Sequence, residues 1–246
     1  MSAAMKNLLA AFVVLAGTFM LTAALSTPQP SAQISAGPTV FYWTVEVEPQ
    51  QIDAVTSRAE NLRAAVNDEF GGEFEFDMYR SHLGVEGRTR FYFFGKCRDL
   101  AHYGELRERI DSTENLRIAF DAVAFQAVST SSFETLLLPI AAGASKKEYP
   151  YRMRRTARMT KTGDATSAAR QLTDYLNAKY AERVTVSAFR HSFGDPSIIH
   201  FYMDLESYAG WQAMEESFRT DKQVQGIMQL ADDAVEDERD LMLKRL

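Results

Sequence analysis

An internal repeat constrains the fold of this chain more than any other feature of its sequence. The segment from Tyr79 to Tyr92 recurs as the segment from Phe189 to Tyr202, at a constant offset of 110 positions (190 − 80 = 110). The same offset relates upstream positions, including Ala59 to Ala169, Leu62 to Leu172 and Asn67 to Asn177. A fixed period over so many positions indicates two copies of one structural unit.

Each copy is predicted to have the order β-α-β-β-α-β. In the first copy, Phe41 to Val47 alternates as a strand, and an apolar stripe from Val55 to Phe70 has helical spacing. Two further strands, a broken helical region and a short last strand follow, and the order repeats from Tyr151. This order is the ferredoxin-like unit of an α+β fold. We therefore expect repeat 1 at 40–139, a linker at 140–150 and repeat 2 at 151–246.

The second hairpin carries a resemblance to a known superfamily. The residues that carry it are Ser192-Phe193-Gly194-Asp195-Pro196-Ser197, the strand that follows, and then Leu205-Glu206-Ser207-Tyr208-Ala209-Gly210-Trp211. With these residues, this part of the chain resembles the dimeric α/β-barrel superfamily. The nearest groups are the antibiotic-biosynthesis-monooxygenase-like and NIPSNAP-like domains. The resemblance implies that two sheets close a barrel, here as a single-chain pseudo-dimer, but it does not specify an activity.

The N-terminus has the pattern of a leader. Lys6 precedes an apolar run from Leu8 to Leu25. Residues 1–26 are therefore expected to form an apolar helix that is either a cleaved signal peptide or a single-pass membrane anchor. Residues 27–39 are expected to be a flexible tether. The positive charge before the run predicts a periplasmic or extracellular location for the folded part, anchored in the inner membrane by residues 8–25 if the leader is retained.

Composition excludes some classes of function. The net charge of −6 argues against a nucleic-acid partner, which would require a basic surface. The single cysteine, Cys97, excludes an internal disulfide framework and a multi-cysteine metal site.

Alternation assigns one face of each strand to the barrel interior. The apolar face must contact the helices, so the opposite face carries the polar and aromatic residues. In copy one these are Tyr42, Thr44, Glu46, Glu75, Asp77, Tyr79, Arg90 and Tyr92, and in copy two Arg152, Arg154, Thr156, Thr185, Ser187, Phe189, His191, His200, Tyr202 and Asp204. These side chains either satisfy one another between the sheets or line a small-molecule pocket.

Candidate site residues come from this inner face. His200 is the candidate general base, positioned by Tyr202 and Asp204, and His191 is a second acid–base candidate. Tyr42, Tyr92, Arg90 and Arg154 are candidate ligand-binding residues. No carboxylate–histidine spacing indicates a metal site. Some superfamily members bind haem through a helical histidine, but His102 is the single helical histidine predicted here, so we expect neither cofactor nor metal.

Two functional hypotheses are carried forward, with a haem-handling protein ranked third. The first is a non-catalytic accessory subunit of a larger assembly, with protein partners at the membrane or in the periplasm. The alternative is a cofactor-independent monooxygenase- or isomerase-like enzyme that acts on a small aromatic or apolar molecule in the barrel cavity.

Overall fold

The computed structural model describes residues 39–81, 87–124, 129–130, 135–143, 148–160, 162–181, 183–192, 195–232 and 234–246. The expected apolar helix, nearly all of the tether and the turn containing Gly84 lie outside these residues. Within the described part of the chain, no helix is both long enough and apolar enough to span a membrane.

The described residues of the first half form five strands and three α-helices. They are β1 (Thr39–Val47), a 3-10 turn (Pro49–Gln51), α1 (Ile52–Phe70), β2 (Glu75–Ser81), β3 (Thr89–Cys97), α2 (Leu100–Ser112), α3 (Glu114–Ala124), β4 (Ser129–Thr130) and β5 (Thr135–Ala142). Strand β5 includes Ile140 to Ala142, which we had placed in the linker.

In the second half, the part of the chain that the structure describes forms four strands and three helices. They are β6 (Tyr151–Met159), α4 (Thr162–Lys179), β7 (Val184–His191), β8 (Ile198–Leu205), α5 (Tyr208–Thr220), α6 (Lys222–Asp232) and β9 (Val235–Arg245). Apart from the two-residue β4, both halves have the order β-α-β-β-α-α-β, and the predicted α+β class is confirmed.

Eight antiparallel strands close into a barrel. The order is β3-β2-β9-β6-β8-β7-β5-β1, and β1 pairs with β3 to complete the ring. The last strand of each half crosses to the other half: Leu137 of β5 lies opposite His191 of β7, and Arg245 of β9 lies opposite Tyr79 of β2. Closure leaves no free edge between the halves and encloses the inward faces of the strands.

The helices cover the outside of the barrel. Helix α1 buries Val55, Ala59, Leu62, Val66 and Phe70, which is the stripe that its sequence predicts. Gly71 ends this helix in the left-handed region at φ 56°, and its N–H donates to Asn67 O at 2.8 Å. Each half has its own apolar core between helices and sheet, and a third core inside the barrel combines residues from both halves.

Candidate functional site

Two groups of polar and aromatic side chains lie inside the barrel and at one of its ends. The first, the interior cluster, consists of Tyr42, Tyr92, Arg154, His191, His200 and Tyr202. The second group lines a cleft that opens where β6 begins, with walls that include Tyr79, Phe94, Arg152, Phe189 and Asp204. This end cleft has a volume of ≈1350 Å³. Tyr202 belongs to the interior cluster and also lines the end cleft. Both groups contain residues from both halves, because strands of the two halves are neighbours in the barrel.

Arg154 is the central charge of the interior cluster. It lies opposite Tyr202 in the β6–β8 register, and its Cζ is 5.2 Å from the Tyr92 ring centroid and 5.7 Å from that of Tyr42. Its Nη1 lies 3.5 Å from Tyr42 Oη. Neither Arg154 Nε nor Tyr202 Oη, both buried, has a hydrogen-bond partner of ordinary geometry among the described residues. Burial, reinforced by Tyr42 and opposed by Arg154, raises the pKa of Tyr202, which therefore stays protonated.

The two barrel histidines form a hydrogen-bonded pair. His200 Nε2 lies 2.7 Å from His191 Nε2, and His200 Nδ1 lies 3.1 Å from Thr156 Oγ1. His200 is 3% exposed. Burial, with smaller effects of Arg154 and His191, lowers its pKa from 6.5 to about 3. His200 is therefore neutral at physiological pH.

Asp204 is not the partner of His200. Its Oδ1 and Oδ2 accept hydrogen bonds from Arg152 Nε and Nη2 at 2.6 and 3.0 Å. Our expectation that Asp204 would position His200 is therefore not met, because alternate residues on one strand point in parallel and find their partners on neighbouring strands.

The end cleft combines aromatic walls with this fixed ion pair. Its walls include Tyr79, Phe94, Phe189 and Tyr202. Arg152 Cζ lies 4.5 Å from the Tyr79 ring centroid and 5.0 Å from that of Phe94. The side chains of Arg152 and Asp204 are 14% and 22% exposed, so the pair is only partly desolvated. Stacking and the bidentate geometry together hold the guanidinium in one orientation.

A second ion pair lies at the mouth of the end cleft. Arg245 of β9 bonds Asp77 of β2 and lies 3.3 Å from Glu148. The described charges that line the cleft cancel in sign: Arg63, Lys96, Arg152 and Arg245 against Glu75, Asp77, Glu148 and Asp204. A balanced lining favours a ligand without a large net charge.

Arg90 lies at the edge of the interior cluster, where its side chain interacts with Tyr92 and its charge repels that of Arg154. Its Nε donates to Glu46 Oε1 at 2.8 Å, and its side chain is 42% exposed. This candidate ligand-binding residue therefore forms an ion pair at the rim of the barrel opposite the end cleft.

Sequence reasoning missed Arg152 and Tyr79 as site residues. Both were assigned to the inner face but not singled out. One signal was present: Arg152 stands two positions before Arg154 and so shares its face.

Comparisons with known proteins find likeness at the level of structure. No family model and no curated protein matches the chain. A putative monooxygenase from Lactobacillus acidophilus NCFM is 11% identical with a TM-score of 0.65, and the match covers 85% of this chain and 94% of that one. An anthrone oxidase-like protein is 10% identical with a TM-score of 0.52, covering 87% and 93%. A haem-binding protein from Thermus thermophilus is 12% identical with a TM-score of 0.52, covering 85% and 91%.

These neighbours correct our first functional hypothesis. Solved structures that share the whole architecture are described as a putative monooxygenase and an anthrone oxidase-like protein, which is at odds with a non-catalytic accessory subunit. The hypothesis had rested on the possible anchor, the mixed-charge inner face and the absence of a familiar catalytic motif, and such an absence does not exclude catalysis by residues from separate strands.

A haem does not fit the described residues. The helical His102 is 5% exposed, and its Nδ1 accepts the Arg98 N–H at 3.2 Å. In the second half, the space between helices and sheet is filled by a continuous apolar core that includes Leu176, Met214 and Val224. A buried macrocycle would have to displace that core, so we derive no step through haem.

Proposed function

The chain has the fold of the dimeric α/β-barrel superfamily, and we propose that it is a cofactor-independent enzyme acting on a small aromatic or apolar molecule bound in the end cleft. One observation carries the proposal: the Arg152–Asp204 pair is fixed against the aromatic walls of a cleft large enough for such a molecule. Aromatic walls beside polar groups of fixed orientation are typical of small-molecule sites.

The first chemical step is removal of a proton from the substrate. Asp204 accepts the proton from an acidic C–H or O–H, and the guanidinium of Arg152 stabilises the oxyanion that forms beside it. The hydroxyl of Tyr79 keeps its proton, because burial raises its pKa, and can donate to the same oxygen. The rings of Phe94 and Phe189 hold an aromatic substrate by stacking.

Monooxygenation follows if the anion reacts with dioxygen. With anthrone as the substrate, the C–H proton goes to Asp204 and the carbanion adds to dioxygen. The peroxide then loses water: one oxygen atom becomes the new carbonyl of anthraquinone, and the other leaves as H₂O. Carbon is oxidised and dioxygen is reduced, so no external cofactor is needed. In the isomerase-like alternative, the same proton returns to another carbon and no oxygen is consumed.

The proposal is tested by oxygen uptake with anthrone as the probe. We expect enzyme-dependent uptake, reduced about 100-fold or more in Asp204→Asn, which keeps the shape but removes the base. Asp237→Asn is the matched control, because Asp237 pairs with Arg239 on the exposed part of β9. Proton exchange with D₂O without oxygen uptake would favour the isomerase-like chemistry. Equal rates for Asp204→Asn and the control, in either assay, would overturn the proposal.

We also propose that the barrel is a single-chain pseudo-dimer of two ferredoxin-like repeats. The repeated element order supports this, as does the reciprocal crossing of β5 and β9 into the other half. A location outside the cytoplasm stays a prediction from the leader sequence.

A further inference from the structure

We propose that the interior cluster binds a small monovalent anion of halide size beside Arg154, at a site that shares Tyr202 with the end cleft. The proposal does not depend on the enzymatic reaction. It rests on three properties of the cluster, which are its uncompensated charge, its donors and its partial enclosure.

The charge of Arg154 has no anionic partner in the described part of the chain. The neighbouring arginines all have one: Arg152 pairs with Asp204, Arg155 with Asp240 and Glu215, and Arg158 with Asp195. Arg154 contacts phenol groups instead, and the pKa of Tyr202 is raised, so its phenolate does not supply the negative charge. A guanidinium cannot deprotonate, and a buried cation without a counter-charge is costly.

The groups around this charge are donors. Arg154 Nε and Tyr202 Oη are both buried and have no hydrogen-bond partner of ordinary geometry among the described residues. A weaker hydrogen bond runs from Arg154 to Tyr202, and the Tyr202 O–H can still donate. Tyr42 Oη lies near the same guanidinium. Two free donors beside a positive charge match an anion better than a water molecule, which would also need to donate.

The surroundings limit the size of the anion. Tyr92, His200 and Tyr202 are 1%, 3% and 4% exposed, whereas Tyr42, Arg154 and His191 are half-buried. Both ring nitrogens of His200 form hydrogen bonds, one with His191 and one with Thr156. Because His200 is neutral, it adds no positive charge to the site. Partial enclosure and a guanidinium without a carboxylate partner among the described residues together select one small monoanion over a dianion or a bulky carboxylate.

The test uses bromide as the probe on the full-length protein at constant ionic strength and pH. Sodium bromide replaces sodium gluconate, whose anion is too bulky for the site, and thermal unfolding is followed. We expect the Tm to rise with bromide concentration, as it does for any ligand that binds the folded state. Crystals containing bromide should show an anomalous peak within hydrogen-bond distance of Arg154 Nε and Tyr202 Oη.

Two variants make the result specific. Tyr202→Phe removes one donor at constant shape and should weaken bromide binding about tenfold or more. Arg154→Met should abolish it, and Arg158→Met, on the same strand but in an exposed ion pair, should leave it unchanged. If Arg154→Met does not fold, Tyr202→Phe and the diffraction experiment still decide. Equal Tm values in bromide and gluconate, or density for an ordered water only, would overturn the proposal.

Discussion

His200 shows how a single residue acquires its properties from its surroundings. Its place on the inner face of β8 follows from strand alternation, but its pKa depends on burial and on Arg154 and His191, which come from neighbouring strands. The same type of side chain at the helical His102 serves a different purpose, since its ring accepts a backbone N–H near a helix start.

The depressed pKa of His200 predicts a pH-dependent loss of stability. Between about pH 6.5 and pH 3 the unfolded state binds a proton at His200 that the folded state does not, so unfolding becomes easier as the pH falls through this range. Above pH 6.5 both states are neutral and the effect is absent. At pH 5 the penalty is on the order of 2 kcal/mol.

His200→Gln removes this contribution. The variant should lose less unfolding free energy than the wild type between pH 7.5 and pH 5, measured by urea denaturation at each pH. Identical pH slopes for the two proteins would show that His200 does not titrate as its surroundings indicate.

At the scale of elements, the repeat extends to helix capping. Asp99 and Ser207 occupy equivalent positions and begin α2 and α5. Asp99 Oδ1 accepts the His102 N–H at 2.8 Å, and Ser207 Oγ accepts the Gly210 N–H at 3.2 Å. Each side chain accepts a hydrogen bond from a backbone N–H that has no partner within the helix. Different residues therefore cap the equivalent helices of the two halves.

Loss of either cap should destabilise the protein by a similar amount. We expect Asp99→Ala and Ser207→Ala each to reduce the unfolding free energy by about 1 kcal/mol. Glu48→Ala is the control: Glu48 stands at the start of the 3-10 turn without a side-chain cap, and its ion pair with Arg88 at 3.3 Å is exposed. Equal effects at all three positions would contradict the capping role.

The element order was largely predictable from the sequence, and the pairing of elements was not. The stripe from Val55 to Phe70 and the alternation in β2 are local patterns, and the structure has both. That β5 pairs with β7 and β9 with β2 depends on residues far apart in the chain, and nothing local in Leu137 or Arg245 encodes it.

For the whole molecule, the core inside the barrel links the two halves into one cooperative unit. It includes Tyr79, Tyr92 and Leu137 from the first half and Phe189, Tyr202 and Leu243 from the second. Because this core exists only when both halves are folded, we expect a single unfolding transition.

Leu243→Ala tests this coupling. Leu243 is 0% exposed and lies on β9, which pairs with β2 of the first half and β6 of the second. Its truncation should cost about 2–5 kcal/mol while circular dichroism and tryptophan fluorescence still report one transition. Leu230→Ala, at a position 56% exposed, should have little effect. Two separate transitions, or a cost no larger than that of Leu230→Ala, would mean that the halves fold independently.

The sequence alone determined the α+β class, the repeat and the inward-facing residues, because side chains recur with the period of their own strand or helix. Only the tertiary structure decided that Asp204 binds Arg152 and not His200, and that Arg154 lies among tyrosines without a carboxylate partner among the described residues. It also decided that Gly95 leaves room for the Phe41 ring, where a Cβ would overlap it. The physical reason is the same in each case. Residues that contact each other across a barrel come from different strands. The register of those strands is set by closure of the whole sheet, and no single segment of the sequence encodes it.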